Sequence, residues 1–157
     1  MKIKWKLLFL CILIPLIIGV FSGIISGNSI EQFSKMNKPS LSPPGLLFPI
    51  VWTILYVLMG IASYLVLVSN NKNQNVLKKA LKTYGIQLIF NFFWSIWFFN
   101  LNLYFFSFLW LIILWILISI TILLFYKISK LSAYLLLPYI LWVTFAGYLN
   151  LGIAILN

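Results

Sequence analysis

From Tyr84 to Tyr126 the chain is almost continuously apolar. As one helix this run would extend about 64 Å at 1.5 Å per residue, roughly twice the ~30 Å hydrocarbon core of a bilayer. It must therefore turn back on itself, and the polar Asn100 and Asn102 mark the turn. That single feature predicts two consecutive membrane helices, about 80–99 and 103–127. Three further apolar runs complete the pattern: 7–25 behind Lys2, Lys4 and Lys6, 46–68 directly after Pro43-Pro44, and a last one over 132–156 with Pro138 as an internal kink. The expected fold class is an all-α membrane protein, one domain over 1–157 folded as a bundle of five transmembrane helices. Their spans are about 5–26, 46–69, 80–99, 103–127 and 132–156, with 27–45 as a loop lid. Composition agrees, because 8% charged residues is a third of the ~25% that wets a soluble domain.

The segments between the runs set the orientation. Pro39, Pro43 and Pro44 disfavour helix and make 27–45 an ordered loop, whereas Pro49 falls in the first turn of its helix, where its missing N–H costs little. Lys72, Lys78, Lys79 and Lys82 keep 70–82 out of the bilayer, since each would cost roughly 2.5–3.5 kcal/mol at its centre. Nine lysines lie on one side, at the N-terminus, in 70–82 and at Lys127 and Lys130; only Lys35 and Lys38 lie on the other. The positive-inside rule then puts the N-terminus in the cytoplasm and the first loop and the C-terminus outside. The net charge of +10 reads as topology and not as a nucleic-acid footprint. A basic start before an apolar run also describes a signal peptide, but the run is long and lacks a small-x-small cleavage site, which favours a retained helix. Gly19, Gly23 and Gly27 recur every four residues along it, a stripe for close helix packing within the bundle or at a dimer seam.

The absent residue types narrow the chemistry. There is no His, Asp or Arg, and Glu31 is the one acid. General acid–base catalysis, a Ser-His-Asp arrangement and a His-ligated metal or haem all lack their groups. The lone Cys11 has no partner for an internal disulfide and behaves as a small hydrophobe.

The apolar runs do carry uncharged polar and aromatic side chains in register. Gln87, Asn91 and Ser95 are four apart and share a helix face, with Trp94 three beyond Asn91. Trp52 and Tyr56 are four apart on the second helix, and Trp142, Ala146 and Asn150 on the fifth. The amides are either hydrogen-bonding glue between helices or ligand contacts, and the tryptophans either interfacial belt or stacking surfaces. The second pair of readings describes a cavity under the lid for a flat aromatic ligand.

These residues fall in motifs that resemble the TspO/MBR family of tryptophan-rich sensory and translocator proteins. The matching stretches are Lys38-Pro39-Ser40-Leu41-Ser42-Pro43-Pro44, Phe48-Pro49 with Val51-Trp52-Thr53-Ile54-Leu55-Tyr56, the third-helix QLIFNFFW from Gln87 to Trp94, and PYILWVTFAGYLN from Pro138 to Asn150. The resemblance spans essentially the whole chain. It implies a five-helix bundle, often a homodimer, whose cavity binds porphyrins such as protoporphyrin IX and benzodiazepine-site ligands. Carried over by position, the cavity residues are Trp52, Trp142, Asn91, Trp94, Ala146 and Asn150; helical spacing adds Tyr56 and Gln87 to the ligand-binding candidates, and Lys35 and Lys38 at the loop are expected to meet the porphyrin propionates. Trp52 and Trp142 would be catalytic if the protein degrades porphyrin in light, as some bacterial members do.

The sequence also departs from the family pattern. Gln32-Phe33 stands for the usual Trp-Tyr of the first loop, and Leu41 and Leu46 stand for tryptophans. The Tyr and basic residue of the animal sterol motif are missing after Leu149-Asn150. The expected function is porphyrin binding as sensor, scavenger or carrier, with light-dependent degradation or passive transport and partner assembly as alternatives. Porphyrin is the ligand, no cofactor or metal is required, and no nucleic-acid partner is expected. Abundant Lys, Asn and Ile without Arg point to a bacterial plasma membrane.

Overall fold

A computed structural model of the chain describes residues 3–70 and 73–157; Lys2 and Lys72, counted above among the orienting lysines, lie outside them. The described residues form α1 (Trp5–Ser26), α2 (Ser29–Lys35), α3 (Leu47–Leu67), α4 (Gln74–Ser95), a π-helical turn (Ile96–Asn100), α5 (Tyr104–Ile128), α6 (Lys130–Leu135) and α7 (Leu137–Leu156). Four stretches are long and apolar enough to cross a membrane: α1, α3, α5, and α6 with α7 as Lys130–Leu156. Their outer surfaces carry exposed side chains such as Trp5, Phe9, Ile24, Leu123 and Leu141. Apolar cover on that scale suits lipid and is foreign to a water-facing surface.

Three boundaries differ from the expectations, each for a local reason. The third apolar helix begins at Gln74, not near 80, because the Asn73 side chain accepts the Val76 N–H at 3.2 Å and caps it. Its first turns carry Lys78, Lys79 and Lys82, and α4 is accordingly absent from the four apolar stretches. The 27–45 segment is not loop throughout: it holds α2, with Glu31 in the first turn and Lys35 in the last, the charge order that a helix dipole favours. The expected 132–156 helix is divided at Leu136, and Pro138 sits in the first turn of α7. There its absent N–H costs nothing, so it starts a helix and does not kink one.

The helices close into a ring. α1 packs on α3, α3 on α6, α6 and α7 on α5, α5 on α4, and α4 on α1. Gly60 lets α1 and α3 meet backbone to backbone: a Cβ there would lie 2.4 Å from Ile12 Cα. α3 and α4 hardly touch, which leaves a gap on the axis toward the α2 end. The segment after α2 is pinned across that end. Asn157 Nδ2 donates to the Asn37 carbonyl at 2.8 Å, Tyr148 Oη donates to the Ser40 carbonyl at 2.6 Å, and Pro39 packs flat on Gly152.

A Cβ on Gly152 would stand 2.5 Å from the Pro39 ring. Gly152→Val is therefore expected to lift the 36–45 segment off α7. Limited proteolysis should cut this segment at least about tenfold faster than in the parent, the equivalent of about 1.4 kcal/mol of lost docking.

Candidate ligand-binding site

The gap between α3 and α4 is a cavity of about 740 Å³, with α1 as its outer wall and α2 across its mouth. That volume falls in the ~300–1,000 Å³ range of pockets that hold drug-sized ligands. α3 contributes Phe48, Trp52 and Tyr56, α4 contributes Asn91, Trp94 and Ser95, and α2 contributes Glu31 and Phe33. On α1 the wall is Leu16, Gly19, Val20, Ser22, Gly23 and Ser26. The glycines thin this wall: Gly19 receives the Tyr56 ring, which a Cβ would strike, while Gly23 faces open space.

A buried chain of hydrogen bonds fixes the polar floor. Tyr56 Oη donates to Asn91 Oδ1 at 2.7 Å, Asn91 Nδ2 donates to Tyr139 Oη at 3.0 Å, and Tyr139 Oη donates to Gln87 Oε1 at 2.7 Å. Each phenol gains a partner inside an apolar bundle, where an unpaired polar group would cost about 1–3 kcal/mol. Trp52 closes the chain from the cavity side, stacked on Tyr56 at 5.5 Å and edge-on to Tyr139 at 6.1 Å. Ser22 on α1 and Ser95 on α4 are hydrogen-bonded across the cavity flank.

The sequence-predicted residues divide into two groups. Trp52, Tyr56, Asn91 and Trp94 line the cavity together. Gln87, Trp142, Ala146, Asn150 and Lys38 do not line it. Gln87 is one turn deeper, at the end of the hydrogen-bond chain. Ala146 and Asn150 border a separate void of about 20 Å³, behind Phe33, Phe48 and Trp94. Asn150 is committed three ways: its Oδ1 accepts from Trp94 Nε1 at 3.0 Å and Ser107 Oγ at 3.1 Å, and its Nδ2 donates to the Tyr104 carbonyl at 2.7 Å. It holds Trp94 in the cavity wall from behind. Trp142 packs edge-on against Phe48 at 5.7 Å, and its indole N–H is buried without a hydrogen-bond partner. The Lys38 ammonium donates to the carbonyls of Phe33, Ser34 and Met36, closing the C-terminal end of α2.

Sequence reasoning did not single out Tyr139, Phe48 or Phe33 as cavity-forming. Phe33 and Phe48 pack edge to face at 4.9 Å and form the partition between the cavity and the small void. The legible signal was that Phe48 stands inside a family motif and Phe33 at an aromatic position of the first loop where the sequence departs from the family pattern. No three of His, Cys, Asp and Glu come together among the described residues, and the polar equipment of the site is hydroxyl, amide and indole with the single carboxylate of Glu31 near the mouth. Such a site can stack a flat ring system and hydrogen-bond its edge.

A model of the TspO/MBR family matches residues 11–156. The chain is 38% identical over 151 residues to the tryptophan-rich protein TspO of Chlorobaculum tepidum, covering 96% of this chain and 95% of that one. It is 37% identical to the tryptophan-rich protein TspO of Archaeoglobus fulgidus over 147 residues, 93% and 94% of the two chains. The translocator protein of Homo sapiens is 31% identical over 139 residues, 85% of this chain and 80% of that one.

Proposed function

Because this chain belongs to the TspO/MBR family, we propose that it is a five-span membrane protein whose cavity binds porphyrin-type tetrapyrroles and other flat aromatic ligands. The observation that carries the reading is the ~740 Å³ cavity walled by Trp52, Tyr56, Trp94 and Phe48, with Asn91 on its floor. Two indoles and a phenol supply stacking faces, and the Asn91 amide supplies an edge contact. In this reading α4 with its π-helical turn is the fifth span. Its lysine-bearing turns stand at the headgroups, and Lys4, Lys6, Lys78, Lys79, Lys82, Lys127 and Lys130 face the cytoplasm. α2 and the cavity mouth then lie at the outer side, and the protein works as sensor, scavenger or carrier.

Titration of the purified protein in the dark with protoporphyrin IX, alongside its dimethyl ester, tests this. Saturable quenching of tryptophan fluorescence in the micromolar range is expected, since Trp52 and Trp94 border the cavity. Trp52→Leu is expected to weaken binding about tenfold, the loss of one stacking contact of about 1–1.5 kcal/mol. Lack of saturable quenching by either porphyrin overturns the reading.

A second reading has its own observation. Trp52 borders the cavity and contacts both Tyr56 and Tyr139, so with dioxygen as the oxidant and a photo-excited porphyrin as the sensitiser its indole would stand where a radical could be trapped. Illumination of the complex in air measures it: bleaching of the porphyrin band should slow in Trp52→Phe, and equal bleaching in parent and variant overturns a Trp52-dependent photoreaction.

A further inference from the structure

Among the residues lining the cavity there is no cation to meet a porphyrin carboxylate. Glu31, the one acid in the chain, is the sole charged residue among those lining the cavity. Neither lid lysine offers a free cation. The Lys38 ammonium donates to three backbone carbonyls and lies 5.3 Å from the centre of the Phe33 ring. The Lys35 ammonium is paired with the Glu31 carboxylate one helical turn away. Several hydroxyls around the cavity are engaged as well: Ser26 donates to the Ser22 carbonyl, Ser34 to the Glu31 carbonyl and Thr53 to the Pro49 carbonyl. A carboxylate that entered here would give up water and find no cation in its place.

We propose that the cavity selects its ligand by charge, taking planar tetrapyrroles with uncharged edges (esterified or carboxylate-free) in preference to their dicarboxylic counterparts. Glu31 enforces the choice by occupying the Lys35 ammonium, which would otherwise attract a ligand carboxylate at the mouth. Because both groups are more than half exposed, the discrimination is moderate and weakens with salt. This proposal rests on the tetrapyrrole reading of the cavity and adds the ligand's charge class to it.

The test measures affinity for protoporphyrin IX and for its dimethyl ester by tryptophan quenching, in one detergent, corrected for partition of each porphyrin into micelles. In the parent the ester is expected to bind about fivefold more tightly, the scale of one exposed charge contact. Glu31→Gln frees Lys35 and should bring the ratio close to one, and Glu31→Lys should invert it. The Glu31 side chain is exposed and its only side-chain partner is Lys35, so neither substitution disturbs a buried contact. A parent that binds the diacid at least as tightly as the ester, or a ratio unchanged in Glu31→Gln, overturns the charge selection alone. Failure of both porphyrins to bind overturns it together with the tetrapyrrole reading.

Discussion

Gly60→Ala is expected to be among the most damaging single substitutions in this protein, although it adds one methyl group. The new Cβ would stand 2.4 Å from Ile12 Cα and 2.7 Å from the Cys11 carbonyl oxygen. Both obstructing atoms are backbone, so no rotamer change relieves the clash, and α1 must move away from α3. Overpacking of a tight interface costs typically about 1–3 kcal/mol, and a backbone-to-backbone collision belongs at the upper end. A loss of about 3 kcal/mol should appear in thermal or denaturant unfolding of the detergent-solubilised protein. The same displacement moves the outer wall of the cavity, so porphyrin affinity should fall with stability. Gly85→Ala is the internal comparison: nothing lies within 4 Å of its Cβ position, and alanine in a helix interior gains about 0.5–1 kcal/mol over glycine. Equal effects at the two sites would refute the close-approach account of the α1–α3 interface.

Asn150→Ala is the second large effect, and its cost is polar. The amide joins α4 through Trp94, α5 through Ser107, and the first residue of α5 through the Tyr104 carbonyl. Hydrogen bonds between membrane helices average about 0.6 kcal/mol each, up to about 1.7. Removing three at once, with the Trp94 indole left in an apolar surround while the Ser107 hydroxyl keeps the Tyr104 carbonyl, should cost about 2 kcal/mol. The consequence for function is indirect, because Asn150 does not line the cavity. Freed from behind, the Trp94 ring loses its fixed orientation in the wall, and tetrapyrrole affinity should fall several-fold. Asn150→Asp separates the roles: it keeps the acceptor for Trp94 and Ser107 but loses the donor to Tyr104. It should therefore restore affinity more fully than stability. If Asn150→Ala leaves the porphyrin affinity unchanged, the support assigned to Trp94 is wrong.

The apolar runs made the helices legible because, in lipid, a backbone must satisfy its own hydrogen bonds. Where polarity returns, hydropathy stops reporting on structure. It placed the start of α4 near residue 80, although the helix extends to Gln74 through a lysine-rich stretch held by the Asn73 cap. α2 was hidden for the same reason: seven residues with two charges have no apolar run, and the Glu31-to-Lys35 spacing was the available clue.

The site was legible in part. Helical spacing correctly placed Asn91 and Trp94 on one side of α4 and Trp52 above Tyr56 on α3. Spacing along one helix carries no information on depth, however, or on what stands between two helices. Gln87 shares its register with the cavity residues Asn91 and Ser95 yet serves a bond behind the wall, and the Trp142, Ala146 and Asn150 register lies behind it altogether. Phe33 and Phe48, which decide that separation, come from segments whose approach depends on the tertiary fold.

The cavity wall formed by α1 has a mechanical consequence. Only 17% of the most apolar window of α1 is buried in the bundle, against 44% for α3. At the level of the cavity it is fastened by the Ser22–Ser95 hydrogen bond and by the Asn100 side-chain amide donating to the Ile25 carbonyl. The container is thus stiff on three sides and compliant on the fourth. A guest that is slightly too large would work against these hydrogen bonds and a few lipid-facing side chains, while the α3–α6–α5–α4 frame stays unstrained. In the proposed role, elastic tolerance of this kind would let one rigid set of aromatic faces serve ring systems of differing girth.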